Sequence, residues 1–272
     1  MAEKKRADVA LVERGLAASR EKAQALIMSG VVYIRETKVT KASVPVLDTD
    51  ELIVRQTGTG YVSRGALKLE KGLKVFGVDP KGVVAMDLGA STGGFTDVLL
   101  QNGAAHVYSI DVGYGQLDWK LRNDPRVTVM ERTNARYLKP EDLPLRPTLG
   151  VMDVSFISIT RILPAAAAIL GEEGAFISLI KPQFEAGPER VGKKGVVRDA
   201  QVHRDVIREI LGFIENDMGW CAQALSFSPI KGPEGNIEFL VHILPPSRAT
   251  HRITPEEIDA VVEQAHQSLR ES

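Results

Sequence analysis

The spacing of apolar positions along this chain changes near residue 60. Before that point, the segment ADVALVERGLAASREKAQALIMSG has the periodicity of two short helices, the first stopped at Gly15 and the second beginning at Ser19 and ending at Gly30. Two brief apolar runs, VVYI and ELIVR, then predict short strands around a polar turn. We therefore expect a small α+β domain over residues 1–60.

Beyond a joint rich in glycine and threonine at residues 55–65, strand-like and helix-like segments alternate. The runs VVAMDL, AHVYSID, VTVM, GVMDVSF and AFISLIKP are short and continuously apolar, as in a parallel sheet covered on both faces. Helices are predicted from Gly93, from Gly115, over 159–170 and over 201–218. This alternation predicts a doubly wound α/β domain over residues 61–272.

The end of the chain has a different pattern. The apolar runs CAQALSFSPI and IEFLVHIL are joined by KGPEGN, which favours an antiparallel hairpin at the edge of the sheet. Thr254 followed by Pro255 is a typical helix start, so we predict a final surface helix within residues 251–272.

Composition excludes several classes of protein. The chain has 272 residues, 44% of them hydrophobic, and a net charge of −1, so only a local basic patch could indicate nucleic-acid binding. Its single cysteine, Cys221, excludes an internal disulfide and a cysteine metal cluster. No apolar stretch follows the charged residues MAEKKRAD, so we expect no signal peptide, and no apolar run approaches the roughly 18 residues of a membrane span. We expect a cytoplasmic protein with no membrane partner.

The stretch MDLGASTGGFTD, residues 86–97, runs from a strand-like segment into a glycine-rich turn. At the carboxyl end of a strand, Gly89 and Gly93 would let the backbone approach a ligand closely. The turn lacks the dinucleotide motif because Ser91 replaces a glycine, and it lacks the P-loop lysine because Phe95 stands there. A ligand with less phosphate than a dinucleotide or ATP is favoured.

An acid after the second strand narrows the choice of ligand. Asp111 stands where a carboxylate accepts hydrogen bonds from ribose hydroxyls, and Asn134, after the third strand, is placed to contact an adenine. A glycine turn with a ribose acid and no phosphate lysine suits S-adenosylmethionine. The alternative is an ordinary strand–turn–helix with an incidental aspartate.

Four charged residues interrupt or flank apolar runs. They are two lysines and two acids, Lys68, Asp153, Lys181 and Glu238. Charges are rarely buried unless they are paired, so these four would satisfy one another if they met at one end of the sheet. A desolvated lysine held by acids can act as a base on a ribose hydroxyl or orient its oxygen. The alternative is four unrelated charges at strand ends.

Two basic segments are candidates for RNA contact. The first helices carry Arg6, Arg14, Arg20 and Lys22, and the glycine-containing loop over 185–199 carries a second group. Lysine and arginine side chains hold RNA through its phosphates. A solvated helix face and a solvated loop are the alternatives.

Six segments in order resemble one family. YVSRGALKLEKGL, MDLGASTGGFTD, IDVGYGQL, VMDVSFIS, LIKPQFEAG and GPEGNIEFL are similar to the hemolysin-A-type (TlyA) ribosomal RNA 2′-O-methyltransferases, which have an FtsJ-like catalytic domain. The segment RADVALVERGLAASREKAQALIMSGVVYI resembles the S4-type RNA-binding domain that precedes it in that family. The resemblance implies a Rossmann-like methyltransferase sheet behind an S4-type domain.

The resemblance also implies roles for individual residues. It makes Lys68, Asp153, Lys181 and Glu238 the catalytic set, with Lys181 acting on the 2′-hydroxyl. The implied donor contacts are Gly89, Gly93, Phe95, Asp111, Asn134 and Asp153. The candidate RNA contacts are Arg6, Arg20, Lys22, Arg64, Arg190, Lys193 and Lys194.

The implied activity is S-adenosylmethionine-dependent methylation of cytidine ribose in 16S rRNA, 23S rRNA or both, on ribosomal subunits and without a metal. Three alternatives stay open from the residues. One is a non-catalytic RNA-binding or ribosome assembly factor. Another is a haemolysin-like membrane-active protein, and the third is the same enzyme acting on tRNA.

Overall fold

The computed structural model describes residues 4–28, 30–35, 37–54, 60–192 and 194–270. The chain separates into two compact units, Met1–Arg64 and Gly65–Ser272. The predicted boundary between residues 60 and 61 stays a prediction. Part of the predicted joint, residues 55–59, lies outside the described residues.

The first unit is a small α+β fold. Its elements are β1 Lys4–Arg6, α1 Ala7–Glu13, α2 Arg20–Met28, β2 Val32–Ile34, β3 Thr37–Lys38, β4 Pro45–Leu47 and β5 Leu52–Val54. β1 pairs with β4, and β2 lies between β3 and β5. The two helices and strands β2 and β5 were predicted. The other three strands were missed, because runs of two or three residues are too short to show an alternating pattern and become strands only by pairing with a neighbouring strand.

The second unit is built on a seven-stranded sheet. Its strands are β6 Val84–Leu88, β7 His106–Ile110, β8 Val127–Met130, β9 Leu149–Met152, β10 Ala175–Ile180, β11 Cys221–Phe227 and β12 Phe239–Leu244. The order across the sheet is β11-β12-β10-β9-β6-β7-β8, and the five strands from β10 to β8 are parallel. The predicted doubly wound α/β fold is confirmed.

Seven α-helices accompany this sheet in the described residues. They are α3 Ala66–Phe76, α4 Gly94–Gln101, α5 Trp119–Arg122, α6 Leu163–Leu170, α7 Pro182–Glu185, α8 Ala200–Gly212 and α9 Pro255–Ser268. The helix predicted from Gly115 was placed too early. It begins at Trp119 because the Gly115 N–H donates to Glu131 (2.8 Å) and the Asp118 side chain caps the Lys120 N–H (2.8 Å).

The chain's last strands form the predicted antiparallel pair, with one difference in position. β11 is the edge strand, and β12 lies between β11 and β10, antiparallel to both. The final helix begins as predicted. Thr254 Oγ1 accepts from the Glu257 N–H (3.3 Å), and Glu257 accepts from the Thr254 N–H (2.7 Å), which closes a capping box.

A buried histidine in β12 makes stability depend on pH. His242 is 7% exposed, stacks on the Phe76 ring and leaves its Nε2 without a partner. Burial lowers its pKa to about 4. As the pH falls, the unfolded chain protonates at this histidine before the folded protein does. The contribution of neutral His242 to the free energy of unfolding is therefore complete above about pH 6.5, and it decreases by about 3 kcal/mol as the pH falls to 4.

We therefore expect acid to destabilise the wild-type protein more than a His242→Phe variant. Phenylalanine keeps the ring beside Phe76 but does not titrate. The measurement is the free energy of unfolding in urea at several pH values, and the difference between the two proteins isolates His242. Parallel pH profiles would contradict the assignment.

Candidate active site

Three strands of the second unit end beside one another with functional side chains. Leu88 of β6 pairs with Met152 of β9, so the residues that follow them, Gly89 and Asp153, are neighbours. Asp111 follows β7 on the other side of β6. Ligands of doubly wound sheets bind beyond this carboxyl edge.

A cavity of about 470 Å³ opens at this edge. Four of the six predicted donor-contacting residues line it, namely Gly89, Asp111, Asn134 and Asp153. Its other walls come mainly from the segments after β7 and β9, including Val112, Gln116, Val154, Ser155, Phe156 and Ile157. This volume lies within the range of small-molecule sites, roughly 300–1,000 Å³.

Gly89 is a glycine for two reasons. Its φ of +83° belongs to the left-handed region, and a Cβ at this position would lie 2.5 Å from the backbone oxygen of Asp153. The close approach of the two strand ends forms one wall of the cavity. A side chain here would have to push apart the backbones of Gly89 and Asp153.

We expect Gly89→Ala to weaken donor binding and to lower turnover by roughly 10²-fold, because it displaces the Asp153 backbone. The control is Gly82→Ala, whose glycine has a φ of +72° but open space around a Cβ. Calorimetric titration with donor measures the first effect and a methyl-transfer assay the second. Equal donor affinities for Gly89→Ala and Gly82→Ala would show that the backbone strain at positive φ governs the result, and not the contact with the Asp153 backbone.

Asp111 joins the glycine turn to the loop after β7. Its Oδ2 accepts from the Ser91 N–H (2.8 Å) and its Oδ1 from the Gly113 N–H (2.7 Å). Ser91 has a φ of +50°, which this bond helps to hold. Each carboxylate oxygen can accept a further hydrogen bond, so Asp111 can serve the turn and a ligand together.

Two predicted donor contacts do not line the cavity. Gly93 has a φ of +97°, in the left-handed region that favours glycine, and a Cβ there would contact the side chains of Leu121 and Leu117. Phe95 is 4% exposed within α4. Both support the turn from behind. Their direct contact with a donor remains a prediction.

The four charged residues meet, as the sequence predicted. Lys68 Nζ lies 2.6 Å from Glu238 Oε2 and 3.6 Å from Asp153 Oδ2. Lys181 Nζ lies 2.5 Å from Asp153 Oδ1. Asp153 therefore bridges the two lysines and also lines the cavity. We call Lys68, Asp153, Lys181 and Glu238 the tetrad.

The setting of Lys68 differs from the prediction. It lies on helix α3 and not at the end of a strand. Burial lowers the pKa of its ammonium, but Asp153 and Glu238 outweigh burial, so the pKa is raised and the side chain stays charged. Burial likewise opposes the ionised form of Asp153, and Lys68 and Lys181 outweigh it, so the pKa of Asp153 is lowered.

Two partners of the tetrad were missed. Lys181 Nζ donates to Ser155 Oγ (3.1 Å), and Gln183 Nε2 donates to Glu238 Oε1 (3.3 Å). Each of these residues stands two positions after a tetrad member, Asp153 or Lys181, and this spacing was the available signal.

A buried acid behind the glycine turn was also missed. Asp87 Oδ2 accepts from the Thr96 N–H (2.9 Å) and from Thr96 Oγ1 (2.7 Å), which ties β6 to α4. Burial raises its pKa to about 7. An acid inside the apolar run VVAMDL was the signal in the sequence.

The candidate RNA contacts are found in different settings. Arg6 and Arg20 both contact the buried Asp8. The guanidinium of Arg190 forms two bonds with Glu209, at 3.1 and 3.2 Å. The other described members are Lys22, partly buried, and Arg64 and Lys194, both exposed. Lys193 lies outside the described residues. RNA contact by each of them stays a prediction.

Comparison with known proteins places this geometry in a family. Residues 61–243 match the model of the FtsJ-like methyltransferase family, and residues 5–52 match the S4 domain. A Mycobacterium tuberculosis protein named 16S/23S rRNA (cytidine-2′-O)-methyltransferase TlyA is 46% identical over 244 residues, which is 89% of this chain and 90% of that protein.

The chain belongs to the FtsJ-like methyltransferases of the TlyA type. A Bacillus subtilis protein that carries the name of an rRNA methyltransferase, YqxC, is 50% identical over 98% of this chain and 96% of its own length. Among solved structures, a Streptococcus thermophilus protein that carries a hemolysin name has a TM-score of 0.78 and 43% identity, covering 100% of this chain and 98% of that one.

The name hemolysin raises the question of a membrane in this TlyA-type chain. Among the described residues, no helix combines the length and the apolar character that a membrane crossing requires.

Proposed function

We propose that this protein is an S-adenosylmethionine-dependent 2′-O-methyltransferase that modifies cytidine ribose in ribosomal RNA. The observation that carries the proposal is Lys181, held 2.5 Å from Asp153 where Asp153 lines the cavity. Such a pair can act on a weakly acidic hydroxyl beside a donor. The M. tuberculosis relative is named for cytidine 2′-O-methylation, which supports the choice of substrate.

The residues at the cavity fit the donor. Gly89 leaves the room that a side chain would fill, Asp111 offers carboxylate oxygens to ribose hydroxyls, and Asn134 lies where an adenine contact is expected. When bound, S-adenosylmethionine supplies an electrophilic methyl group on a positively charged sulfur. Asp153, whose carboxylate stays ionised, tolerates that charge at the cavity wall.

The members of the tetrad have different roles in the reaction. With donor and RNA bound, Lys181 would hold the 2′-oxygen close to the methyl group. The O–C bond would form as the C–S bond of the donor breaks, with neutral S-adenosylhomocysteine as the leaving group. The hydroxyl proton would pass to Lys181 Nζ as Nζ gives one proton to Asp153 Oδ1. Ser155 and Asp153 fix the position of the Lys181 ammonium. Lys68, paired with Glu238, keeps Asp153 ionised and in place.

RNA is held by the first unit and by the basic loop of the second. The S4 domain match supports an RNA substrate, and Lys194 is exposed between Gly192 and Gly195 on that loop. Arg6, Arg20, Lys22, Arg64, Arg190 and Lys193 complete the proposed set. We propose that the enzyme works in the cytoplasm on 16S or 23S rRNA within ribosomal subunits.

The test is methyl transfer from labelled S-adenosylmethionine to unmodified small and large subunits, to free rRNA and to tRNA. We expect label in rRNA, recovered after nuclease digestion as 2′-O-methylcytidine. Tight donor and RNA binding without label would favour the assembly factor. Label confined to tRNA would overturn the rRNA assignment, and leakage of liposomes with no label would favour the membrane-active alternative.

A further inference from the structure

A buried carboxylate in the first unit is surrounded by side-chain donors. Asp8 is fully buried and accepts from Arg6 Nε (2.9 Å) and Nη2 (3.1 Å), from Arg20 Nη2 (3.1 Å) and from Gln24 Nε2 (3.1 Å). Its Oδ1 also accepts from the Val9 N–H at 3.1 Å. One carboxylate therefore connects the start of α1 with the start of α2.

The charges of this cluster do not cancel. The hydrogen bonds from Arg6 lower the pKa of Asp8 far below its usual range, against the opposing effect of burial, so the carboxylate is ionised. Two guanidinium groups against one carboxylate leave a net charge of +1. That is the complement of one phosphodiester.

The two arginines are about half exposed, whereas the carboxylate that they contact is buried. Asp8 is completely covered, whereas the side chains of Arg6 and Arg20 are 49% and 56% exposed. Asp8 engages Nε and Nη2 of Arg6 and Nη2 of Arg20, so Nη1 of Arg6 and Nε of Arg20 lie outside its contact. Each guanidinium has five N–H donors, and those beyond the carboxylate can serve a ligand.

Another arginine of the same unit shows a different use. Arg14 donates through Nη1 to the Asp50 carbonyl (2.6 Å) and through Nη2 to the Leu47 carbonyl (2.8 Å). Its guanidinium therefore binds backbone carbonyl groups of the protein itself. Arg6 and Arg20 instead share a side-chain carboxylate, and some N–H donors of each guanidinium lie outside its contact.

We propose that Asp8 is a positioning residue that holds Arg6 and Arg20 as a clamp for a single RNA phosphate. The proposal rests on the RNA-binding function proposed above and adds how two of its residues act. An arginine already fixed by Asp8 loses less side-chain freedom when it binds, which strengthens a bidentate contact with phosphate oxygens.

The first experiment counts phosphates. Binding of full-length protein to transcribed 16S and 23S rRNA and to purified subunits is measured over a series of KCl concentrations. For a shared phosphate, Arg6→Ala, Arg20→Ala and the double variant should each reduce the slope of log K against log salt by about 0.7–0.9. A double variant that loses about twice as much would mean two separate phosphates and would overturn the clamp.

The second experiment tests Asp8 with a double-mutant cycle. In the wild-type background the losses of binding free energy caused by Arg6→Ala and Arg20→Ala should be strongly non-additive, since either substitution disrupts the clamp. In an Asp8→Asn background the affinity should already be about tenfold lower, and the two losses should become additive in free energy. Asp8 would have a purely structural role if Asp8→Asn lowered the melting temperature but changed neither the coupling energy between Arg6 and Arg20 nor the slope of log K against log salt.

Two further variants keep the test decisive if Asp8→Asn fails to fold. Arg20→Lys keeps the charge but loses the planar fork, and we expect it to bind as weakly as Arg20→Ala. Wild-type affinity in Arg20→Lys would overturn the clamp. Asp50→Asn is the matched control, because the Asp50 carboxylate accepts from the Leu47 N–H (2.8 Å) and lies 3.9 Å from Arg35, away from the Arg6 and Arg20 contacts. It should leave the coupling between Arg6 and Arg20 intact.

The outcome also separates the clamp from the function on which it rests. Wild-type protein that binds neither rRNA nor subunits would overturn both proposals. Wild-type protein that binds and methylates, with additive arginine losses, would overturn the clamp alone. Donor affinity should be unchanged in every variant of this series, because the donor cavity is lined by residues of the second unit.

Discussion

Replacing Lys181 by alanine is expected to lower the rate of methyl transfer by about 10³-fold or more, since a group that acts directly on a reacting proton contributes on this scale. Donor affinity should hold or rise. Asp153 keeps its negative charge with one neighbouring cation fewer, which favours the positively charged donor. Single-turnover transfer at saturating RNA measures the first effect, and calorimetric titration with S-adenosylmethionine measures the second.

Two neighbouring substitutions make this result specific. Ser155→Ala removes the 3.1 Å bond to Lys181 Nζ but leaves the Lys181–Asp153 contact in place, so it should lower the rate about tenfold at most. Lys181→Arg keeps a positive charge but not the compact ammonium, and should be nearly as inactive as Lys181→Ala. A Lys181→Ala rate within tenfold of wild type would remove Lys181 from the reaction and leave the tetrad as a structural ion cluster.

Replacing Lys68 by methionine is expected to destabilise the second unit by about 3–5 kcal/mol. Glu238 is fully buried, and its 2.6 Å contact with Lys68 supplies the compensating charge. Without Lys68, this carboxylate keeps only the 3.3 Å bond from Gln183 among the contacts described above. Amide hydrogen exchange in β10 and β12 reports the stability of this unit separately from that of the first.

A second substitution distinguishes a broken pair from lost packing. The double variant Lys68→Met with Glu238→Leu replaces the pair by apolar groups of similar size and should recover most of the lost stability. Both the double variant and Lys68→Met should be inactive, since Asp153 then has Lys181 as its only tetrad partner. Lys74→Ala, an exposed lysine of the same helix α3, should change stability by no more than about 0.5 kcal/mol. Equal stability of Lys68→Met and Lys74→Ala would show that the buried pair is dispensable.

Much of the second unit could be predicted from local sequence. Short apolar runs predicted all seven strands, and Thr254 with Pro255 predicted the start of α9. These signals work because burial on both faces of a parallel sheet and the cap of a helix are properties of a few consecutive residues. The same reasoning placed a helix too early at Gly115. The bond from its N–H to Glu131, 16 residues further along the chain, cannot be inferred locally.

The candidate site was predicted unevenly for a related reason. Charges that interrupt apolar runs must find partners, so the meeting of the tetrad could be expected before its geometry was known. Ser155 and Gln183 carry no charge and gave no comparable signal. Gly93 and Phe95 stand in the expected turn, yet they do not line the cavity, because backbone direction after β6 decides which members of a turn face a ligand.

The sequence by itself determined which functional groups are available to this protein. They are a glycine turn, an acid after the second strand, and two lysines with two acids in apolar settings. Residue type and local periodicity carry that information. Only the tertiary structure decided which charges touch, that Asp153 bridges both lysines at the cavity wall, and that Asp8 connects two arginines. Contacts between distant residues depend on strand order and register, which long-range packing selects.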